Sequence, residues 1–510
     1  MAFFNTLLVF LTANWFAISL TVCISFILYI WGIAPFRRSR VLALVGDLPG
    51  PAPLPFLGNL LDLIKLKGQT HLYIDEYYKK YGRLFTMFLF TKRPSLFIGD
   101  PEMTKEILVK EFQSFHDRPL FFEIPKPFDV MMSIATGETW HRIRTTISPT
   151  FSAHKMKLMI PLMNKSCDLL EKKLDQVAGT GETIDIYKYH QGLTMEGILS
   201  TFFGIESNAQ NDYNDPAFKA ARESLDPGPF RRFITAFVGI LPFGSYFVRY
   251  FPSFFIGQFQ NLVHLTEKII EARKKEGDSA RKDVLDLMLS ATQPDVAEQK
   301  TLSEYEVIAQ SMIFLFAGYE TTSITLALTC HHLATNQDFQ EKLQKEIDDV
   351  WRDEDQPPSY EVVQSLPYLD MVISETLRLY PPGFFLAREC TKDCVIKGLH
   401  IKKGTPVITP AYSIHRDPEF YPDPEKFDPE RFSAEAKASR DPYAYLPFGQ
   451  GPRNCIGMRF AQMEMKLALV RILKRFTLVV APETKIPPVI VAKPSILGCD
   501  GVKLRVQQRK

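Results

Sequence analysis

The stretch Phe448–Gly457, FGQGPRNCIG, sets one cysteine among three glycines, a proline, an arginine and an asparagine. A thiolate inside a protein needs compensation, because burying charge is costly. Metal coordination supplies it, and backbone N–H groups aimed at the sulfur add to it. Such groups converge only where the chain turns tightly, and Gly451 permits that turn. Gly457 has no side chain, so a flat group can approach the backbone there. Pro452 stiffens the loop, and Arg453, two residues before the sulfur, suits an anionic edge of the same group. Residue types and spacing together suit a single thiolate, Cys455, ligating haem iron. The alternative is a structural cysteine in a glycine-rich turn. The pattern F-x-x-G-x-R-x-C-x-G fixes five positions, and a chance match in a chain this long has a probability of order 10⁻⁴.

The loop resembles the haem-binding loop of the cytochrome P-450 superfamily, the haem-thiolate monooxygenases. The resemblance implies haem b with Cys455 as axial thiolate, and Phe448, Arg453 and Gly457 around the cofactor. It also demands A-G-x-E-T-T on a long central helix, and AGYETT occupies Ala317–Thr322 within the helical pattern Ser303–Thr335. From Val307 to Cys330 that pattern is apolar nearly all round, as in a fully buried helix. Gln310, Glu320 and several Ser and Thr interrupt it, against a membrane span. A lone carboxylate at Glu320 is either a satisfied buried acid or a functional group. Thr321 is placed to bond the carbonyl one turn back and open the helix, with Gly318 easing the distortion. The resemblance implies that Ala317 borders the haem and that Glu320 and Thr321 relay protons to dioxygen.

Two further motifs follow. SETLRLYPP supplies an E-x-x-R pair, Glu375 and Arg378, on a helix ended by Pro381 and Pro382. At 100° per residue, Leu369, Val372, Ile373, Leu377 and Tyr380 share a face and the pair falls opposite, so periodicity favours a solvated i,i+3 pair. The resemblance implies instead a buried pair joined by Arg431 of PERF, bracing the cysteine loop. WHRIRTTISPTF puts Trp140 and Arg144 one helical turn apart, either as a surface stack or, as the resemblance implies, as donors to a haem propionate. In one place the pattern is broken. Phe385 stands where relatives often carry Arg or His to meet a propionate, and Arg388 lies further along.

The whole chain bounds these readings. It has 510 residues, 46% hydrophobic, 40 of them Phe, with a net charge of +2. That excludes bulk attraction to nucleic acid and suggests an apolar interior suited to lipophilic ligands. Seven cysteines, an odd number without C-x-x-C, disfavour a disulfide framework or a zinc knuckle. Leu7–Trp31 is uncharged over 25 residues, enough helix to cross about 30 Å of hydrocarbon. Arg37, Arg38 and Arg40 follow it and predict a cytosolic carboxyl side; a cleaved signal is the alternative. Pro-rich Leu48–Asn59 reads as a stiff linker. The expected organisation is an anchor over 1–33, a basic and Pro-rich linker over 34–59, and one catalytic domain over 60–510. Helical patterns outnumber strand-like runs, so the expected fold is mainly α with minor β. The Phe-rich segment 229–259 is either core or a hydrophobic flap dipping into the membrane.

The resemblance runs from about Leu48 to Val506. SMIFLFAGYETT and FGQGPRNCIGMRFA are similar to the drug- and steroid-oxidising third family, with thromboxane synthase as a related branch. It implies a monooxygenase in the endoplasmic reticulum membrane that oxidises steroids, fatty acids or xenobiotics. No nucleotide-binding G-x-G-x-x-G occurs, so electrons must come from outside. NADPH-cytochrome P-450 reductase is the implied donor, with cytochrome b5 as a second candidate, and Arg142, Arg459 and Lys466 are candidate docking cations. The alternatives are a haem-thiolate isomerase of lipid peroxides, which needs no electrons, and a haem-binding protein without catalysis.

Overall fold

The computed structural model describes residues 14–34, 37, 46–55, 57–66, 68–88, 93–120, 124–212, 214–225, 257–276, 283–292, 301–353, 356–493 and 496–509, together with short pieces between 226 and 256. The principal helices are α1 (Trp15–Leu28), α2 (Thr70–Tyr81), α3 (Gly137–Ile147), α4 (Ala153–Val177), α5 (Ile186–Phe203), α6 (Pro216–Leu225), α7 (Gln260–Glu276), α8 (Glu304–Thr335), α9 (Gln337–Val350), α10 (Pro367–Leu379) and α11 (Met458–Arg475). The strands are β1 (Leu84–Met87), β2 (Ser95–Ile98), β3 (Ile184–Asp185), β4 (Leu386–Glu389), β5 (Cys394–Ile396), β6 (Leu399–Ile401), β7 (Pro406–Thr409), β8 (Phe476–Val480), β9 (Ile490–Ala492), β10 (Leu497–Cys499) and β11 (Lys503–Gln508). The fold is mainly α with minor β, as expected.

Helix α8 is the axis of the core. Ser303 caps it: its hydroxyl accepts from the Glu306 N–H while the Glu306 carboxylate accepts from the Ser303 N–H. Helices α5, α7, α10 and α11 pack against it, and α4 packs on α5 and α11. At Gly318 a Cβ would stand 2.6 Å from Ile198 Cδ1, so this glycine lets α5 approach closely. The expected opening of the helix does not occur. Thr321 does bond the Ala317 carbonyl, at 2.7 Å, but α8 remains α-helical throughout. Phe202 links the helices through ring contacts of 5.4 Å to Phe314 and 5.0 Å to Phe460.

A four-stranded sheet in the order β1-β2-β7-β4 lies beside the helices. Strand β4 pairs antiparallel with β7, setting Arg388 opposite Val407. The hairpins β5–β6 and β9–β10 and the small sheet β3-β11-β8 complete the β structure.

Helix α1 runs on through a π turn, Tyr29–Ile33, and its apolar side chains are exposed. The continuous helical stretch is roughly 29 Å long at 1.5 Å per residue. Residues 7–13 of the expected span, most of the basic segment after it, and most of the Phe-rich segment lie outside the described residues. Within the latter, Gly244–Tyr250 is helical and exposes Tyr246, Phe247 and Tyr250.

Glu464 on α11 is buried against Gly197 of α5, where an added Cβ would meet its carboxyl. Among the described residues, neither carboxyl oxygen has a hydrogen-bond partner. Burial raises its pKa well above the ordinary carboxylate range. The folded chain therefore keeps a proton that the unfolded chain releases, and stability falls as pH rises above that range, by up to about 1.4 kcal/mol per unit. Glu464→Gln should raise the melting temperature at pH 8 and raise it much less at pH 5, as thermal unfolding followed by circular dichroism at the two pH values will show.

Candidate functional site

The cysteine loop is built from turns that its glycines permit. Gly449 and Gly451 have φ of 69° and 76°, and a Cβ on Gly451 would stand 2.0 Å from the Leu108 carbonyl oxygen. The Cys455 N–H donates to the Phe448 carbonyl at 2.8 Å, and the Asn454 N–H to that of Gly451 at 3.0 Å. The Gly457 N–H is directed at the sulfur. Burial pushes the Cys455 thiol up, while that N–H, Arg144 and Arg118 pull it down. The side chain itself is bare, though protein surrounds it. Deep interior and bare surface are reconciled only by a hollow beside the sulfur.

Helix α8 presents a matching feature. Most of it is buried, yet Ile313, Phe316 and Thr321 are half-buried and Ala317 is exposed. Their spacing defines one stripe of the helix. Met132 ties the two elements together: its N–H donates to Gln310 Oε1 of α8 at 2.8 Å, and its carbonyl accepts from Arg453 Nη1 at 3.2 Å. Over Gly457 an added Cβ would meet only Phe151, at 3.9 Å, so a flat group has room there.

Four guanidinium groups gather beside the loop. Arg453 is buried, lies 4.1 Å from the Trp140 ring centroid, and donates to the carbonyls of His116, Met132 and Ala135. Three of its five N–H groups are thereby committed, more than the sequence suggests. Arg144 holds Asn454 through the backbone oxygen at 3.1 Å and Oδ1 at 2.9 Å. Trp140 and Arg144 thus face the cysteine loop and are no surface stack. Arg118 donates to the Ser133 carbonyl. Arg388, further along than the Phe385 position, is buried here because β4 carries it inward. Among the described residues its Nε has no partner. Burial, then the charges of Arg118 and Arg453, lowers Arg388 to about 9; burial and Arg118 lower Arg453 to about 9. The carboxylate recorded beside them is Asp117, 3.6 Å from Arg453. Four cations, an orphaned buried N–H, a bare thiol and open space over a glycine fit a flat dianionic group ligated by sulfur, as haem is.

The acid of AGYETT faces elsewhere. Glu320 is fully buried and accepts from the Tyr187 hydroxyl at 2.5 Å and from Gln191 Nε2 at 3.2 Å, both on α5. Lys493, just beyond β9, completes an ion pair with it. Glu320 and Thr321 are neighbours in sequence but lie in different surroundings.

The E-x-x-R pair is buried, contrary to the periodicity. Arg378 Nε and Nη2 clasp the Glu375 carboxylate at 2.7 and 2.8 Å, with both side chains fully buried. Arg431 stands 3.6 Å from the same carboxylate, and the Asp428 N–H donates to it at 2.9 Å. Arg378 continues inward. Its Nη1 donates to the His415 carbonyl, His415 Nδ1 donates to the Arg378 carbonyl, and His415 Nε2 accepts from the Leu446 N–H at 2.8 Å. Since a backbone N–H only donates and a carbonyl only accepts, His415 is neutral with its proton on Nδ1. Tyr445 adds a hydroxyl bond to the Ser374 carbonyl. The sequence offered no periodic signal for Arg118, His415, Tyr187 or Lys493.

Of the candidate docking cations, Lys466 is buried in an ion pair with Asp370 and Arg142 is taken by Glu306 and the Thr301 carbonyl. Only Arg459 of the three is exposed.

Breaking the Glu375 cluster leaves Arg378 buried without its partner. Glu375→Gln should cost about 3–5 kcal/mol and yield protein with reduced haem content, read from urea unfolding and from the ratio of haem to protein absorbance.

Residues 48–498 match the family described as Cytochrome P450. The chain is 44% identical over 453 residues to Cytochrome P450 3A2 of Rattus norvegicus, covering 86% of this chain and 87% of that one. It is 41% identical over 473 residues to Cytochrome P450 3A7 of Homo sapiens, covering 90% of each. The hollow beside a protein-enclosed thiol, the arginine cluster and these relatives lead to one assignment: the chain belongs to the cytochrome P450 family and is a haem-thiolate monooxygenase.

Proposed function

We propose that this protein oxidises C–H bonds of lipophilic substrates, drawing electrons from a separate NADPH-dependent flavoprotein reductase, with Cys455 as the thiolate ligand. The observation that carries this reading is the partly exposed stripe of Ile313, Phe316, Ala317 and Thr321 on α8, bridged through Met132 to the loop holding a bare, protein-enclosed cysteine. Haem bound at Cys455 supplies dioxygen activation, with electron density donated from sulfur. Arg118, Arg144, Arg388 and Arg453 hold the propionates, and Trp140 supports them from beneath Arg453. Glu375, Arg378 and Arg431 keep the loop in place, acting structurally. Ile313 and Phe316 exclude water and present apolar surface to the substrate. Thr321 holds its proton toward the Ala317 carbonyl and would be the hydroxyl that passes protons to the cofactor side of α8. Glu320 is the relay carboxylate behind it, and it reaches Thr321 by leaving Lys493. Helix α1 anchors the domain to the endoplasmic reticulum membrane. Steroids and xenobiotics are the substrate classes favoured by the resemblance, with selection by apolar burial and therefore broad.

Reconstituted in lipid with the reductase, the protein should form hydroxylated products only when NADPH and dioxygen are both present, as chromatography with mass detection will read. Turnover without NADPH would overturn the reading. Glu320→Gln should slow product formation by about 10²-fold and divert reducing equivalents to peroxide. Cys455→Ser should abolish the carbon monoxide difference band of thiolate-ligated haem.

A further inference from the structure

Cys390 and Cys394 lie at the two ends of the turn that leads from β4 into β5, and their sulfurs are 3.8 Å apart. Spacing alone does not mark them, since they are four residues apart and do not form C-x-x-C. Geometry brings them together. The Cys390 N–H donates to the Thr405 carbonyl at 3.0 Å and its carbonyl accepts from Gly404 at 2.6 Å. Cys394 opens β5 and pairs with Ile401. The turn between them is fastened too: the Thr391 N–H donates to the Ser114 carbonyl, and the Asp393 carboxylate accepts from the Lys403 N–H at 2.8 Å and from Lys402 Nζ at 2.9 Å. The Cys390 thiol is directed at the Lys392 carbonyl, within the same turn. Neither sulfur takes part in the haem site.

We propose that Cys390 and Cys394 form a redox-modification site that a hydroperoxide converts to an intramolecular disulfide. Cys390 is buried and Cys394 half-buried, so an oxidant arriving from solvent meets Cys394. The Cys394 thiolate attacks the peroxide oxygen, the O–O bond breaks, and sulfenic acid and water form. Cys390 sulfur then attacks the sulfenic sulfur, the S–O bond breaks, and a second water leaves with the Cys390 proton. Two thiols and one hydrogen peroxide give one disulfide and two waters. The sulfurs must close by about 1.8 Å to reach the bonded distance, within the compass of a turn of three residues.

The neighbourhood gives the event a consequence. Cys390 directly follows β4, whose Arg388 joins the arginine cluster and whose Glu389 N–H donates to the Asp117 carbonyl at 2.8 Å. A disulfide fastens the end of the strand that carries Arg388. Burial, and then the neighbouring Cys394, pushes the Cys390 thiol up to about 12, and burial raises Cys394. Thiolate is therefore scarce at neutral pH, and oxidation should accelerate about tenfold per pH unit between pH 7 and 8.

The test uses the full-length haem-loaded protein treated with hydrogen peroxide, alkylated, and digested with trypsin without reductant. Cleavage after Lys392 separates Glu389–Lys392 from Asp393–Lys397 unless the sulfurs are joined. The expected result is a joined pair of peptides, lighter by two hydrogens than the reduced peptides together, released by dithiothreitol and absent in Cys394→Ser. In Cys390→Ser, sulfenic acid should persist on Cys394 and be trapped by dimedone. Sulfinic or sulfonic acid on Cys394 with Cys390 still alkylated would overturn the proposal, as would both thiols remaining alkylatable after peroxide.

Discussion

Charge held away from water is the constraint on which this fold depends. The loop around Cys455 and the arginines at 118, 144, 388 and 453 bring several ionisable groups into a region where burial works against their charged forms. Burial lifts the thiol and depresses the guanidinium groups, so each is less comfortable charged than it would be in water. On the proposed reading, iron beside the thiol and two carboxylates beside the guanidinium groups would favour the charged form of each. The cluster is therefore selective in a physical sense: a neutral flat molecule of the same shape would leave the arginines uncompensated. Carbonyl bonds from Arg453 and Arg118 are what keep the cations in place without that compensation, since they satisfy donors without neutralising charge.

On the proposed reading, a second buried set holds the loop that carries the sulfur. Glu375, Arg378 and Arg431 do not touch the cysteine. Their influence passes through His415, whose two ring nitrogens join the Arg378 carbonyl to the Leu446 N–H at the root of the loop. Burial, followed by the Arg378 charge, holds His415 down to about 3, so this link is insensitive to pH across the physiological range. An exposed ion pair would be worth too little to serve. A buried one is costly to break, and that cost transmits rigidity to the loop.

Much of this was legible in the chain. The apolar pattern Ser303–Thr335 matched α8, Glu304–Thr335, to within one residue. The cysteine loop was legible because glycine at two positive φ values and a lone thiol are rare together. Short strands with no alternation were not: β4 and β9 each carry a residue, Arg388 or Lys493 beyond its end, whose position only sheet pairing reveals. Periodicity misread Glu375 and Arg378, because the 3.6-residue pattern records which face of α10 is apolar, and a paired charge can be buried on the other face by a separate layer, here the segment 415–431. Arg118 was invisible for a simpler reason: it lies in a loop, where no period exists to violate.

The central helix explains why Glu320 and Thr321 have separate surroundings. Successive residues on a helix point about 100° apart, so if Thr321 shares the bare stripe with Ala317, Glu320 must look toward α5 and the β9–β10 hairpin. There it meets Tyr187, Gln191 and Lys493. Such an acid is well placed to be stored and poorly placed to deliver. On the proposed reading, each proton delivery requires the carboxylate to exchange a lysine for a path toward the threonine, and the strength of that ion pair sets how often the exchange occurs. Helix α8 itself need not bend for this. Its threonine hydroxyls already satisfy carbonyls four residues back at 321, 325 and 329, and the change the relay needs is confined to the Glu320 side chain.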